Sequence, residues 1–137
     1  MVVGTLRIPV SPDRRAEVLE VLWSIQGPVL AQPGCSAFRI FEEQRPEEAI
    51  VLVERWDSEA AIEAHIRSES YRRILAAMEL SGGPPEISFE HVSASVGIEL
   101  VERLRNLGEI SGPAGRLNKP KDPPKPAIPI DRKEPHR

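Results

Sequence analysis

The chain of 137 residues is short of the side chains from which many functional sites are built. A single cysteine, Cys35, leaves no internal disulfide and no paired thiolate ligands, and it reads as a small buried residue at the start of a strand. Three histidines, His65, His91 and His136, lie 26 and 45 residues apart, without the His-x3-His or His-Glu-x2-His spacing of a metal-binding helix. No metal site is expected. No window approaches 18 consecutive apolar residues, so no membrane span is expected, and the opening MVVGTLRIPVSPDRR places its charges after its short apolar run, the reverse of a secretory signal. The expectation is a cytoplasmic protein. A glycine-rich phosphate loop is also missing.

Lysine is the most unevenly distributed residue. None occurs before Lys119, and residues 1–110 hold eleven arginines against eighteen acids, for a net charge of −7. Residues 111–137 hold all four lysines and seven of the fourteen prolines, for a net charge of +4. An acidic folded part argues against binding to a phosphate backbone. The cationic stretch has too few apolar groups to offset ordering entropy and reads as a disordered or polyproline-like tail that is a candidate contact for an unknown partner.

What is present has a clear period. Val2 to Val10 (VVGTLRIPV) reads as a strand, and Ser11-Pro12-Asp13 as a helix start, with a cap, a proline where no N–H is needed and an acid at the positive dipole end. Ala16, Leu19, Leu22, Trp23, Gln26 and Leu30 share one broad face, which makes Trp23 a core candidate, and Gly27-Pro28 is expected to kink or break the helix. Gln32-Pro33-Gly34-Cys35 is a turn into the strand Ser36 to Gln44, and Arg45-Pro46-Glu47 reverses the chain into the strand Ala49 to Trp56. Alternation puts Ile50, Leu52, Glu54 and Trp56 on one face of that strand and Val51, Val53 and Arg55 on the other.

Asp57-Ser58-Glu59 opens a helix of about 22 residues with the stripe Ala61, Ala64, Ser68, Tyr71, Leu75 and Met78, and His65 at its border. Ser81 to Pro85 stops it. Glu86 to Ser95 is a fourth strand, and a short helix fits Gly97 to Leu107 with Gly108 as its C-cap. The order β-α-β-β-α-β is the ferredoxin-like split βαβ plan, an α+β fold with a four-stranded antiparallel sheet and both main helices on one face. The segments are a domain over 1–95, an additional C-terminal helix over 96–110 and the tail over 111–137. The uncovered sheet face carries apolar groups, so pairing with a second copy is the physical expectation.

Four side chains can carry chemistry if the fold brings them together. Glu54 is a carboxylate in an apolar strand that needs a partner such as Arg7, Arg39 or His65, or a displaced proton affinity. Trp56 either fills the gap between strand end and helix start or stacks on a substrate. His65 reads as an ion-paired helix-border residue or as a base, and Tyr71 as core or as a hydrogen-bond donor. His91 reads as structural and Arg72-Arg73 as a solvated helix face.

LAQPGCSAFRIFEE, VERWDSEAAIEAHIRSESYRRI and PPEISFEHVS together resemble the antibiotic biosynthesis monooxygenase domain family over roughly Val2 to Ser95. That resemblance implies a dimeric α+β barrel, two ferredoxin-like subunits joined through their sheet faces, each with a pocket between sheet and helices. It also implies cofactor-free oxidation of a quinol, phenolic or polyketide-like aromatic by O2, begun by substrate deprotonation. Carried onto this sequence, His65 and Glu54 would be catalytic, as base or proton shuttle and orienting partner, with Trp56 and Tyr71 binding substrate. A haem-degrading branch looks similar, but the first strand offers Thr5 and Arg7 instead of its Asn, and no His stands near Leu75. The alternative from another class is a non-catalytic dimeric barrel that binds a small apolar metabolite or serves as an assembly module.

Overall fold

A computed structural model describes residues 1–44 and 48–106. The expected reversal at Arg45-Pro46-Glu47, the Gly108 cap and the tail over 111–137 lie outside the described residues. The elements are β1 (Val2–Ile8), α1 (Pro12–Leu30), β2 (Cys35–Glu42), β3 (Ile50–Trp56), α2 (Glu59–Ile66), α3 (Glu69–Met78), β4 (Glu86–His91) and α4 (Ile98–Arg105). The first seven form one compact unit over Met1–His91, and α4 falls in a second. All strand pairs are antiparallel in the order β2-β3-β1-β4, the α+β plan read from the sequence.

Strand parity decides what each face carries. Val2, Leu6 and Ile8 of β1, Phe38 of β2, and Ile50, Leu52 and Trp56 of β3 are buried with Val18, Leu22, Ile25 and Val29 of α1 and Ile74 and Ala77 of α3 in one core. Each fully buried aliphatic side chain here contributes about 1.5–3 kcal/mol relative to exposure. The opposite face presents Val3 and Thr5 of β1, Val51 and Val53 of β3, and Phe41 of β2, half-exposed at 51%. Arg7 on that face is held by Glu43 at 2.8 and 2.9 Å, so its charge is paired before it reaches Glu54.

Helix details correct the sequence reading at four points. The buried stripe of α1 is Val18, Leu22, Ile25 and Val29, so Trp23 is 52% exposed and not core, and Ala16 and Leu30 are exposed as well. An i, i+4, i+7, i+11 run of aliphatics competes with the Trp23 face and wins because it meets the sheet along its whole length. α1 also continues through Pro28 to Leu30, where the proline sits two residues from the helix end and forfeits only one backbone bond. The third correction concerns the long second helix, which is two helices separated by Arg67 and Ser68, with Ile62, His65, Tyr71, Ile74 and Ala77 buried while Ala64 and Leu75 are exposed. Finally, the left-handed residue closing α4 is Asn106 (φ 56°, ψ 42°). Asparagine tolerates this conformation better than other side-chain-bearing residues.

Gly34 has a positive φ of 88°, and a Cβ there would fall 2.6 Å from Ala61 Cβ. Its carbonyl accepts from Asp57 N at 2.8 Å, which ties the entry of β2 to the exit of β3 and brings the Gln32-Pro33-Gly34 turn against α2.

Candidate functional site

Covalent alternation sends Glu54 and Trp56 to the helix side of β3, and their side chains meet there. Trp56 Nε1–H donates to Glu54 Oε1 at 3.0 Å, with Trp56 fully buried and Glu54 only 4% exposed. One indole donor does not satisfy a buried carboxylate. The second partner is His65, whose Nε2 stands 3.2 Å from Oε1 and 3.3 Å from Oε2. Of the three partners considered for Glu54, the histidine is the one in place.

His65 is fully buried, where border placement had suggested partial exposure. Its ring stacks on Trp56 with centroids 4.5 Å apart and planes inclined by 25°, and it meets the Tyr71 ring edge-on at 5.2 Å and 88°. The break at Arg67-Ser68 makes this possible. In one continuous helix, residues six apart point about 120° away from each other. Ser68 instead leaves helical geometry (φ −83°, ψ 167°) and caps α3 by accepting from Tyr71 N at 3.3 Å, so His65 in the last turn of α2 and Tyr71 in the first turn of α3 face the same Trp56 side.

A fifth residue completes the cluster. Gln32 Oε1 lies 3.0 Å from His65 Nδ1, and Gln32 Nε2 lies 3.5 Å from Ser68 Oγ. The sequence signals Gln32 only as the polar head of the Pro33-Gly34 turn; nothing in its spacing connects it to a histidine 33 residues later. His91 pairs with Glu59 at 3.1 Å on the surface and Arg72 with Glu69 at 3.5 Å, both exposed and outside the cluster.

Two concavities border the partners of His65, which itself lines neither. On the Nε2 side, Glu54, Tyr71, Gly4, Leu52, Ile87 and Phe89 line a crevice between the sheet and α3 with a free volume of about 10 Å³, close to the space of one water molecule. Phe89 of β4 is the reason it is narrow: its ring lies over Gly4, where a Cβ would approach two ring carbons to 3.1 Å. Phe38, Glu54, Gly4 and Phe89 stand in one register row across the four strands. On the Nδ1 side, Gln32 and Ser68 line a wide, open trough of about 610 Å³ floored by Gly34, Ala61 and Ala64.

The electrostatics favour protonated neighbours around Glu54. Burial raises the Tyr71 phenol above its ordinary range, with the Glu54 charge adding to the effect. Burial likewise raises the Cys35 thiol, reinforced by Glu54 and Asp57, which leaves it a poor nucleophile at neutral pH. Among the described residues, no group of three or more His, Cys, Asp or Glu side chains is arranged to hold a metal ion. No helix of the described residues is long and apolar enough to cross a membrane.

Comparison with known proteins gives a consistent result. The family model described as antibiotic biosynthesis monooxygenase matches residues 1–77. The Bacillus subtilis protein named "Putative monooxygenase YcnE" is 28% identical over 88 residues, 64% of this chain and 93% of that protein. An uncharacterized Synechocystis protein is 22% identical over 87 residues, and the match spans only 59% of that relative's length. Among solved structures, a Mycobacterium tuberculosis protein superposes with a TM-score of 0.63 at 24% identity, covering 70% of this chain and 98% of that one. A Deinococcus radiodurans structure described as "a putative antibiotic biosynthesis monooxygenase" gives 0.64 at 19% identity, with 72% and 98% covered.

Proposed function

The chain belongs to the antibiotic biosynthesis monooxygenase family, and on that footing we propose that it oxidises a phenol- or quinol-like aromatic with O2, without a bound cofactor, by deprotonating the substrate at Glu54. The observation that carries this reading is the buried Glu54–His65 pair whose carboxylate, and not its imidazole, borders the crevice. A base must lie within hydrogen-bond reach of the proton it takes. Glu54 meets that condition for a group in the crevice, while His65 stands behind it as the proton partner. With a second proton taken up, the pair carries a positive charge beside the new phenolate, which stabilises the anion in a site of low dielectric.

An electron-rich phenolate transfers one electron to O2, and a dry, confined site keeps the resulting radical pair together until a carbon–oxygen bond forms. The peroxide anion so formed takes back the proton held by the Glu54–His65 pair, and the hydroperoxide then loses water together with the hydrogen on the same carbon to leave a carbonyl, so one oxygen atom ends in product, the other in water, and the substrate supplies all the electrons. Admission of an aromatic ring requires Phe89 to swing off Gly4, because the closed crevice holds about one water. Trp56 forms the rigid wall behind the pair, and Tyr71 is the donor on the α3 side.

The working form we propose is a cytoplasmic homodimer joined through the Val3, Val51 and Val53 face. The test is oxygen uptake by the purified protein with a reduced quinol and no added flavin, haem or metal. Uptake that falls steeply in Glu54→Gln and His65→Ala is the expected result; a strict requirement for added metal or flavin, or full activity in both variants, overturns the mechanism. The narrowness of the crevice favours one other reading, a non-catalytic barrel in which the pair is structural and a small apolar metabolite is the ligand. Saturable quinol binding with no oxygen uptake would select it.

A further inference from the structure

From the donor and acceptor accounting around Ser68 we infer that Gln32 is a positioning residue that holds a proton on His65 Nδ1 and thereby leaves Nε2 and Glu54 to share the proton that the chemistry moves. The accounting starts at a helix end. Ser68 Oγ lies 2.7 Å from the His65 carbonyl oxygen, which can only accept, so the hydroxyl proton of Ser68 is committed there. The same oxygen accepts from Tyr71 N. Ser68 therefore has no proton left for Gln32, and the Gln32 group that faces it must be the amide NH2, a donor.

That fixes the other end of the amide. The Gln32 group 3.0 Å from His65 Nδ1 is the carbonyl oxygen, an acceptor, so Nδ1 must be N–H. With Nδ1 protonated, Nε2 faces a carboxylate that already accepts from Trp56 at Oε1. One proton satisfies this gap in either of two ways: on Nε2, as imidazolium and carboxylate, or on Oε2, as carboxylic acid and neutral imidazole. The opposite neutral tautomer, with Nδ1 bare, would set the lone pair of a fully buried ring against the Gln32 oxygen. Gln32 thus acts through His65, from the trough side, on a carboxylate that opens to the other side.

The inference takes the Glu54–His65 pair of the proposed function as its object, yet its test reads proton position and needs no substrate. The full chain labelled with 15N-histidine is examined by long-range proton–nitrogen correlation at neutral pH, with His91→Gln and His136→Gln used to single out His65. In the wild type Nδ1 resonates as a protonated nitrogen. Gln32→Leu removes the acceptor, and the Nδ1 resonance moves to the position of an unprotonated ring nitrogen while Nε2–H turns to Glu54; Gln32→Glu, which restores an acceptor oxygen, keeps Nδ1 protonated. A bare Nδ1 in the wild type, a protonated Nδ1 in Gln32→Leu, or a bare Nδ1 in Gln32→Glu each overturns the inference. The wild-type spectrum decides even if Gln32→Leu does not fold. Failure of quinol oxidation with these resonances as expected would sink the proposed function and leave the role of Gln32 standing.

Discussion

Glu54 Oε1 and His65 Nε2 are 3.2 Å apart, both side chains shielded from solvent, with the Trp56 indole touching each of them. A buried pair of this kind is costly to break, because removing one member leaves the other desolvated and uncompensated. Of the two, Glu54 borders the crevice and His65 stands behind it. Its removal therefore has separable effects on turnover and on stability.

Glu54→Gln keeps the side-chain shape and an oxygen that can accept from Trp56 Nε1, but it cannot take a substrate proton. Oxygen uptake with a reduced quinol is expected to fall by roughly 100-fold or more. His65→Ala is expected to lose activity and also about 3–5 kcal/mol of stability, since a buried carboxylate loses its partner. Urea unfolding midpoints measured beside the oxygen electrode separate the two effects.

Trp56→Phe preserves an aromatic face for His65 to stack on and deletes the Nε1–H donated to Glu54 Oε1. Leaving that oxygen short of a donor in a buried site costs about 1–3 kcal/mol. Denaturant unfolding should resolve the loss, while the far-ultraviolet circular dichroism that reports the backbone fold is retained.

Tyr71 gives a pH signature. Its phenol titrates higher in the folded chain than in the unfolded one, because of burial and then the Glu54 charge. Between those two values the folded state binds the extra proton, so stability is fully present below the ordinary tyrosine range and is lost as pH rises through the folded value. Melting temperatures followed from pH 8 upward should decline from about pH 10 in the wild type, and the decline should be shallower in Tyr71→Phe. Identical slopes in the two proteins would rule this linkage out.

Gly34→Ala combines a backbone conformation that side-chain-bearing residues avoid with a contact of 2.6 Å to Ala61. The strain alone is worth about 1–3 kcal/mol. Because the turn carries Gln32, this variant should also disturb the His65 ring nitrogens in the 15N spectrum, whereas Gly27→Ala, whose added carbon meets nothing within 4 Å, should leave both stability and spectrum intact.

Val53 lies between Arg39 and Thr5 in its register row on the sheet face opposite Glu54 and Trp56. If that face joins two copies, Val53→Lys places like charges across the junction and should shift the chain from dimer to monomer by analytical ultracentrifugation. A wild-type protein that sediments as a monomer at all concentrations would remove the dimer proposal.

The sequence by itself determined the β-α-β-β-α-β order of elements along the chain, the parity that puts Glu54 beside Trp56, the Pro33-Gly34 turn and the charge division that begins before Lys119. These follow from short-range rules: side chains alternate along a strand, glycine takes the left-handed turn, and composition sets what can fold. Helix faces were less legible. On α1 two apolar stripes overlap, and only contact with the sheet chose Val18, Leu22, Ile25 and Val29 over the face with Trp23. Within the second helical segment, helical period puts Ser68 on the apolar stripe, but its hydroxyl bonds to His65 O and Tyr71 N and ends one helix while starting another. Only the tertiary structure decided that His65 is fully buried, that it pairs with Glu54 and not with Glu69, and that Gln32 reaches its far nitrogen. Those contacts join residues 11 and 33 positions apart, and which of several plausible polar partners meets a buried imidazole depends on how the sheet, the turn and two helices pack together.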